Sequence, residues 1–311
     1  MRRNEYLPEG AGPLFPENQP ISVLRQAMED QTVLEGIAIR CDARRELTVR
    51  FGGYEGTIPR PDAIHPAISG AERDIAVLSR VGKPTCFTIT GIQLDGGGRP
   101  RLILSRRAAQ EQAIAWLLER SAPGTVLPAR VTHLESFGAF VDLGCGVTSL
   151  IPLENISVSR VSHPSDRFRV GQDILAVVTD MDPAACRFYL THKELLGTWM
   201  ENAARFAPGE AVPGIVRGIK PYGVFIELTP NLSGLAETRE GLLPGDGVSV
   251  YIKSIRPEWM KIKLQIVEKL APRTEPVPLR YQITDGRLNR WVYSPPGCGK
   301  PVVETVFRPG F

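Results

Sequence analysis

The chain has 311 residues, 42% of them hydrophobic and 23% charged, with a formal net charge of +3. That balance is ordinary for a soluble globular protein, and the length suits two or three domains of roughly 100 to 150 residues each. No apolar run approaches the roughly 20 residues that cross a bilayer, and the scattered Cys41, Cys86, Cys145, Cys186 and Cys298 contain no Cys-x-x-Cys pair, which argues against a disulfide framework, a zinc site or any other metal.

Residues 1–29 read as an N-terminal extension. Arg2 and Arg3 have no apolar stretch behind them, so neither a secretory nor a twin-arginine signal is expected, and the cytoplasm is the expected compartment. Residues 30–107 form a first unit of strand-like segments at Thr32–Arg40, Glu55–Ile64 and Arg101–Arg107, with Asp95-Gly-Gly-Gly98 as a hairpin-type turn before its last strand. Residues 108–123 read as a helical linker, because Ala113, Ile114, Leu117 and Leu118 recur at helical spacing and Pro123-Gly124 stops the run. A second unit at 124–193 carries the alternating Phe140-Val-Asp-Leu143 and the β-branched run Ile174–Val178. Residues 194–208 read as another helical linker, with Leu195, Trp199 and Ala203 on one face and Pro208-Gly209 at its end. A third unit at 209–268 repeats the pattern with Phe225-Ile-Glu-Leu228 and Val248–Ile252, and residues 269–311 form a basic, aromatic tail.

The second and third units are an internal repeat. GTVLPARVTHLESFGAFVDL from Gly124 aligns with GEAVPGIVRGIKPYGVFIEL from Gly209 at an offset of 85, which also pairs Phe140 with Phe225 and Leu150 with Leu235. Further on the offset is 74, pairing Gly171 with Gly245, Arg187 with Lys261 and Leu190 with Leu264. The third unit has therefore lost 11 residues where the second has ENISVSRVSHPSDRF. The first unit is a fainter copy, its TVLEGIAIR resembling TVLPARVTH and its RLILSRR resembling RFYLTHK. Short strands at this density, with glycine turns and no βα alternation, predict an all-β chain of three tandem five-stranded barrels joined by short helical connectors.

These residues resemble the S-one domain, an RNA-binding barrel of the OB fold. The second unit has Phe137-Gly-Ala-Phe-Val141, Val170-Gly-Gln-Asp173 and Arg187-Phe-Tyr-Leu-Thr191; the third has Tyr222-Gly-Val-Phe-Ile226, Pro244-Gly-Asp246 and Lys261-Ile-Lys-Leu264. Ser105-Arg-Arg followed by a helix with Trp116 is similar to the connectors of the bacterial ribosomal protein S-one family. The resemblance spans residues 30 to 268 and implies a binding face on strands two, three and five. There Phe137, Phe140, Tyr222 and Phe225 would stack bases and Arg187 and Lys261 would meet phosphate, with Tyr189 and Lys263 beside them on the fifth strands. It further implies single-stranded mRNA and the small ribosomal subunit as partners, no membrane, no cofactor and no enzymatic activity. Alternation supports an outward Phe140, since Val141 and Leu143 take the inward positions.

Two departures from the family pattern stand out. Its third-strand histidine is Pro152 in the second unit and Ala236 in the third, and the first unit has Arg45 and Thr48 near the aromatic positions. Residues 32–107 carry 12 Lys and Arg against 8 Asp and Glu, whereas residues 124–193 carry 6 against 7 and residues 209–268 carry 7 against 7. Stacking rather than net charge should therefore lead on the second and third units. The first, with Arg40, Arg44, Arg45, Arg50, Arg60, Arg99 and Arg101, is either a dock for a larger partner or a spacer with solvated arginines. A ribosome-independent RNA regulator and a protein-binding scaffold remain alternatives.

Gly297-Cys-Gly-Lys300 lacks the spacing of a phosphate loop, and Pro301 stands where the hydroxyl residue would be. His65, His133, His163 and His192 have no metal spacing, and His163 reads as a turn residue. The tail, with Arg287, Arg290, Trp291 and Tyr293, is either an extra RNA contact or a short hairpin docked on the last barrel.

Overall fold

The structure is a computed structural model that describes residues 6–13, 15–69, 73–94, 100–271 and 278–308. It contains three closed five-stranded barrels. The first is built from β1 (Leu34–Cys41), β2 (Leu47–Phe51), β3 (Tyr54–Ile58), β4 (Pro84–Leu94) and β5 (Pro100–Ser105). The second comprises β6 (Val126–Glu135), β7 (Gly138–Asp142), β8 (Thr148–Pro152), β9 (Asp173–Asp182) and β10 (Arg187–Thr191). The third comprises β11 (Ala211–Lys220), β12 (Gly223–Thr229), β13 (Leu232–Ala236), β14 (Gly247–Arg256) and β15 (Lys261–Lys269). Within each barrel the order is first, second, third, fifth, fourth, with the third and fifth strands parallel. This is the OB topology that the sequence predicts. The expected Asp95–Gly98 turn lies outside the described residues.

Alternation fills each interior as the pattern requires. Val131, Ala139, Val141 and Leu143 are buried in the second barrel, and Val216, Val224 and Ile226 in the third. A bulge between Glu227 and Thr229 shifts Leu228 out of strict alternation, and it packs half-buried on the same cluster. The first connector is one helix, Arg106–Arg120, capped by Ser105 and packed through Ala109, Ala113 and Leu117 into the second barrel's core. The second is not the continuous helix expected over 194–206. It is a 3₁₀ turn at Lys193–Leu196 and a short helix at Trp199–Ala203, separated by Gly197 at φ 85°. Thr198 and Glu201 form a capping box that restarts the helix and turns Trp199 into the core shared with the third barrel.

The barrels are joined by more than connectors. Near the N-terminus, Cys145 donates its N–H to the Leu7 carbonyl (2.9 Å) and Glu9 donates its N–H to Asp142 (2.7 Å). The buried Glu9 carboxylate meets Arg106 at 2.9 Å and Arg80 at 2.8 Å, so this segment ties the first barrel to the second. The 11 extra residues of the second unit form the seam with the third. Ser159 bonds Ser233 (2.9 Å), Val158 donates its N–H to Asn231 (2.9 Å), and the fully buried Arg167 reaches Glu227 at 2.5 Å. Arg217 joins the same carboxylate at 2.8 Å and Asp166 at 2.9 Å. His163 caps the 3₁₀ turn Pro164–Asp166 that places these charges.

The tail pairs β16 (Arg290–Val292) with β17 (Glu304–Val306), a hairpin docked on the third barrel through the buried Trp291, Tyr293 and Phe307. Its earlier part reaches the second barrel, where Tyr281 closes over His192. The His192 ring donates from Nδ1 to the Ile156 carbonyl (2.7 Å) and accepts at Nε2 from the Tyr281 hydroxyl (3.1 Å), while that hydroxyl accepts from the Leu175 N–H (3.2 Å). Every polar atom is thereby satisfied with the imidazole neutral, and burial lowers the His192 pKa to about 4.

A pH dependence follows. Below the unfolded value near 6.5 the unfolded chain binds a proton that the folded chain refuses until about pH 4, so stability falls with falling pH across that window. From pH 7 to pH 5 the loss from this group is about 2 kcal/mol. Asp142, raised to about 7 by burial and by the Glu9 charge, works in the opposite direction over the same range. Denaturant unfolding of wild type and His192→Gln at both pH values separates the two. The variant should be more acid-tolerant than wild type by about that amount, and parallel pH profiles would contradict the assignment.

Candidate functional site

Register places the expected residues in rows across the barrel surface. In the second barrel His133 on β6 lies opposite Phe140 on β7, Phe140 opposite Leu150 on β8, and Leu150 opposite Tyr189 on β10. Residues in register point to the same side of a sheet, so these four share the outer face. In the third barrel the row is Gly218, Phe225, Leu235 and Lys263. The two rows match position for position at the offsets of 85 and 74 that relate the sequences.

Phe137 and Tyr222 stand just before their strands, 55% and 69% exposed, and Tyr189 is 48% exposed. Phe140 and Phe225 lie half-buried behind them. The Phe137 and Phe140 rings meet edge to face at 6.0 Å and 88°, and Tyr222 meets Phe225 at 6.1 Å and 87°. Each inner ring is therefore buttressed and each outer ring presents a face to solvent. An edge-to-face pair is a favoured aromatic geometry, so the platform is organised before any ligand arrives. Glycine between the aromatics is required by the neighbouring strand. A Cβ at Gly138 would lie 2.5 Å from the Ile151 carbonyl oxygen, and one at Gly223 2.6 Å from that of Ala236. The backbone of the third strand is what approaches these glycines.

Arg187, Lys261 and Lys263 are exposed on the fifth strands. Arg187 lies opposite Asp182 on β9, whereas Lys261 lies opposite Arg256 on β14, so the third barrel is locally the more positive. The structure thus brings Phe137, Phe140, Tyr189 and Arg187 to one face of the second barrel and Tyr222, Phe225, Lys261 and Lys263 to one face of the third. His133, 6.4 Å from the Phe140 ring, and the apolar floor at Leu150 and Leu235 are additions that sequence reasoning missed. The alternation of β6 opposite Phe140 was the signal available for His133. A cavity of about 790 Å³ lies elsewhere, among Tyr6, Phe15, Glu35, Cys86 and Cys145, and none of the eight expected residues is among its described lining.

The corresponding row on the first barrel is Arg40, Thr48, Thr57 and Ile103. Thr48 occupies the position of Phe140 and Phe225, so no aromatic pair forms there. Its positive surplus is also reduced by pairing, since Arg45 and Arg60 both reach Asp74 (3.3 and 2.9 Å) and Arg50 reaches Glu55 (2.8 Å).

The S1 RNA binding domain family model matches residues 120–193, which take in the whole second barrel and its aromatic pair. More particularly, the chain is similar to the bacterial small ribosomal subunit protein bS1. It is 32% identical over 258 residues to that of Leuconostoc lactis, a match covering 78% of this chain and 59% of the relative. It is 36% identical over 202 residues to the bS1 homolog of Bacillus subtilis, covering 60% and 52%. The chain thus spans a little over half the length of these relatives. Among solved structures, a multidomain protein with nucleic acid binding domains from Streptococcus pneumoniae aligns over 76% of this chain and 74% of its own at 15% identity and a TM-score of 0.26, too loose a superposition to bear on function.

Proposed function

We propose that this chain binds single-stranded RNA, in translation as mRNA, on the outer faces of its second and third barrels, and that it acts by binding rather than by catalysis, in the cytoplasm and together with the small ribosomal subunit. The observation that carries this reading is the aromatic row built twice at equivalent positions, outward and buttressed, on barrels of near-zero net charge. Every base has a π face, so such a platform holds single strands with little sequence preference, at about 1 to 3 kcal/mol per stacked base. The first barrel, with Thr48 in place of the outward aromatic but keeping the exposed Arg40, Arg44 and Arg101, is the part proposed to face the larger partner.

The test is equilibrium binding of an unstructured oligoribonucleotide across a salt series. A shallow slope, equivalent to about two or three neutralised phosphates, is expected. A slope equivalent to six or more would show that charge rather than stacking leads. Co-sedimentation with small ribosomal subunits at physiological salt tests the partner. A protein that binds the oligonucleotide yet stays in the supernatant would be a ribosome-independent regulator.

A further inference from the structure

Beside the aromatic row of the third barrel lies a cavity of about 590 Å³, lined among others by Phe225, Leu235, Arg256, Trp259, Lys261 and Lys300. That volume lies within the range of about 300 to 1,000 Å³ typical of small-ligand sites. Five of these residues belong to the barrel, and Lys300 comes from the tail. Trp259 closes the β14–β15 turn and is 50% exposed, an unusual state for so large an apolar side chain.

The tail is built to reach this place. Its hairpin is anchored by Trp291, Tyr293 and Phe307, and Val303 donates its N–H to the Ser294 hydroxyl, closing the loop between the two strands. At the loop's far end Gly299 donates its N–H to the Glu258 carbonyl (2.9 Å). A Cβ at Gly299 would stand 2.7 Å from the Trp259 ring, so only glycine lets the loop lie against the indole. The next residue, Lys300, is thereby delivered to the cavity. The Gly-Cys-Gly-Lys run that fails as a nucleotide-hydrolysis loop has its structural reason here.

The chemistry is that of one nucleotide unit. Arg256, Lys261 and Lys300 are exposed cations around one hollow, and no carboxylate is among its described lining residues. Trp259 and Phe225 supply aromatic surface between them. We propose that the C-terminal hairpin completes a base-and-phosphate subsite on the third barrel, in which Lys300 with Arg256 and Lys261 holds a phosphodiester of single-stranded RNA while the adjoining base stacks on Trp259. This deepens the RNA-binding reading and rests on it.

Five proteins carrying the whole chain test it: wild type, Lys300→Ala, Lys300→Arg, Trp259→Ala and a variant with Phe137, Phe140, Tyr222 and Phe225 all replaced by alanine, each titrated with an unstructured oligoribonucleotide over a salt series and, separately, with uridine monophosphate. Lys300→Ala should weaken oligonucleotide binding about three- to tenfold and lower the salt slope by about 0.7, the share of one phosphate on a single strand. Lys300→Arg should keep both, and Trp259→Ala should weaken binding about tenfold or more, as for one lost stack. Lys300→Ala and Trp259→Ala that both match wild type, while the Phe137/Phe140/Tyr222/Phe225 alanine variant binds weakly, would overturn the subsite and leave the RNA reading standing. Wild type that fails to bind the oligonucleotide would overturn both. Micromolar binding of uridine monophosphate lost in Lys300→Ala would mark a free-nucleotide pocket and overturn the assignment to RNA; millimolar or weaker binding of the monomer supports it.

Discussion

Replacing Phe137, Phe140, Tyr222 and Phe225 together by alanine is expected to lower affinity for an unstructured oligoribonucleotide at least about a hundredfold, with the barrels still folded. Two lost stacks at roughly 1.4 kcal/mol each already give that factor, and each platform holds two rings. The fold should survive because the interior positions belong to other residues. Val141 and Ile226 are fully buried, whereas Phe137 and Tyr222 are more than half exposed. Circular dichroism and thermal unfolding accompany the titration. A variant that unfolds would return these rings to the core, and a folded variant with unchanged affinity would remove them from the binding face.

The largest effect on stability is expected at Glu227→Ala. Glu227 is the shared partner of Arg167 and Arg217, whose side chains are 0% and 6% exposed, and its own is 1% exposed. Removing it leaves two guanidinium groups crowded together at the seam between the second and third barrels, with the Asp166 carboxylate paired to Arg217. Breaking a buried pair by deleting one partner costs about 3 to 5 kcal/mol, because the remaining charge is buried without compensation. Denaturant unfolding should show this loss. Replacing all three residues by apolar ones of similar volume should restore most of it, since well-packed apolar side chains commonly match a buried ion pair. A loss below about 1 kcal/mol would place the cluster in the range of solvated surface pairs.

The repeat made the barrels and the aromatic rows legible. Strand alternation separates Val141 from Phe140 with no knowledge of the fold, and the offsets of 85 and 74 already pair Phe140 with Phe225 and Tyr189 with Lys263. Connections between elements distant in sequence were not legible. ENISVSRVSHPSDRF looks like a polar surface loop because its Ser159, Asp166 and Arg167 find their partners some 50 to 75 residues later, at Ser233, Arg217 and Glu227. Local periodicity carries no trace of such pairing. Glu9 is likewise an ordinary exposed acid by sequence, and only the fold sets it between Arg80 and Arg106. The expected helix over 194–206 failed for a local reason, since Gly197 breaks it and Thr198 with Glu201 starts another.

These seams also bear on any division of the chain. Residues 6–11 pack on both the first and second barrels, and the tail packs on the second and third, so cutting near residue 123 would expose buried surfaces on both pieces. The roles of the barrels are better separated in the intact protein. The most direct measurement is photo-crosslinking of a 4-thiouridine-containing unstructured oligoribonucleotide to the full chain, with the attached peptides mapped by mass spectrometry. Crosslinks are expected at Phe137, Phe140 and Tyr189 and at Tyr222, Phe225 and Trp259, with few between residues 34 and 105. Crosslinks concentrated on the first barrel, with the aromatic rows of the second and third unmodified, would contradict the account.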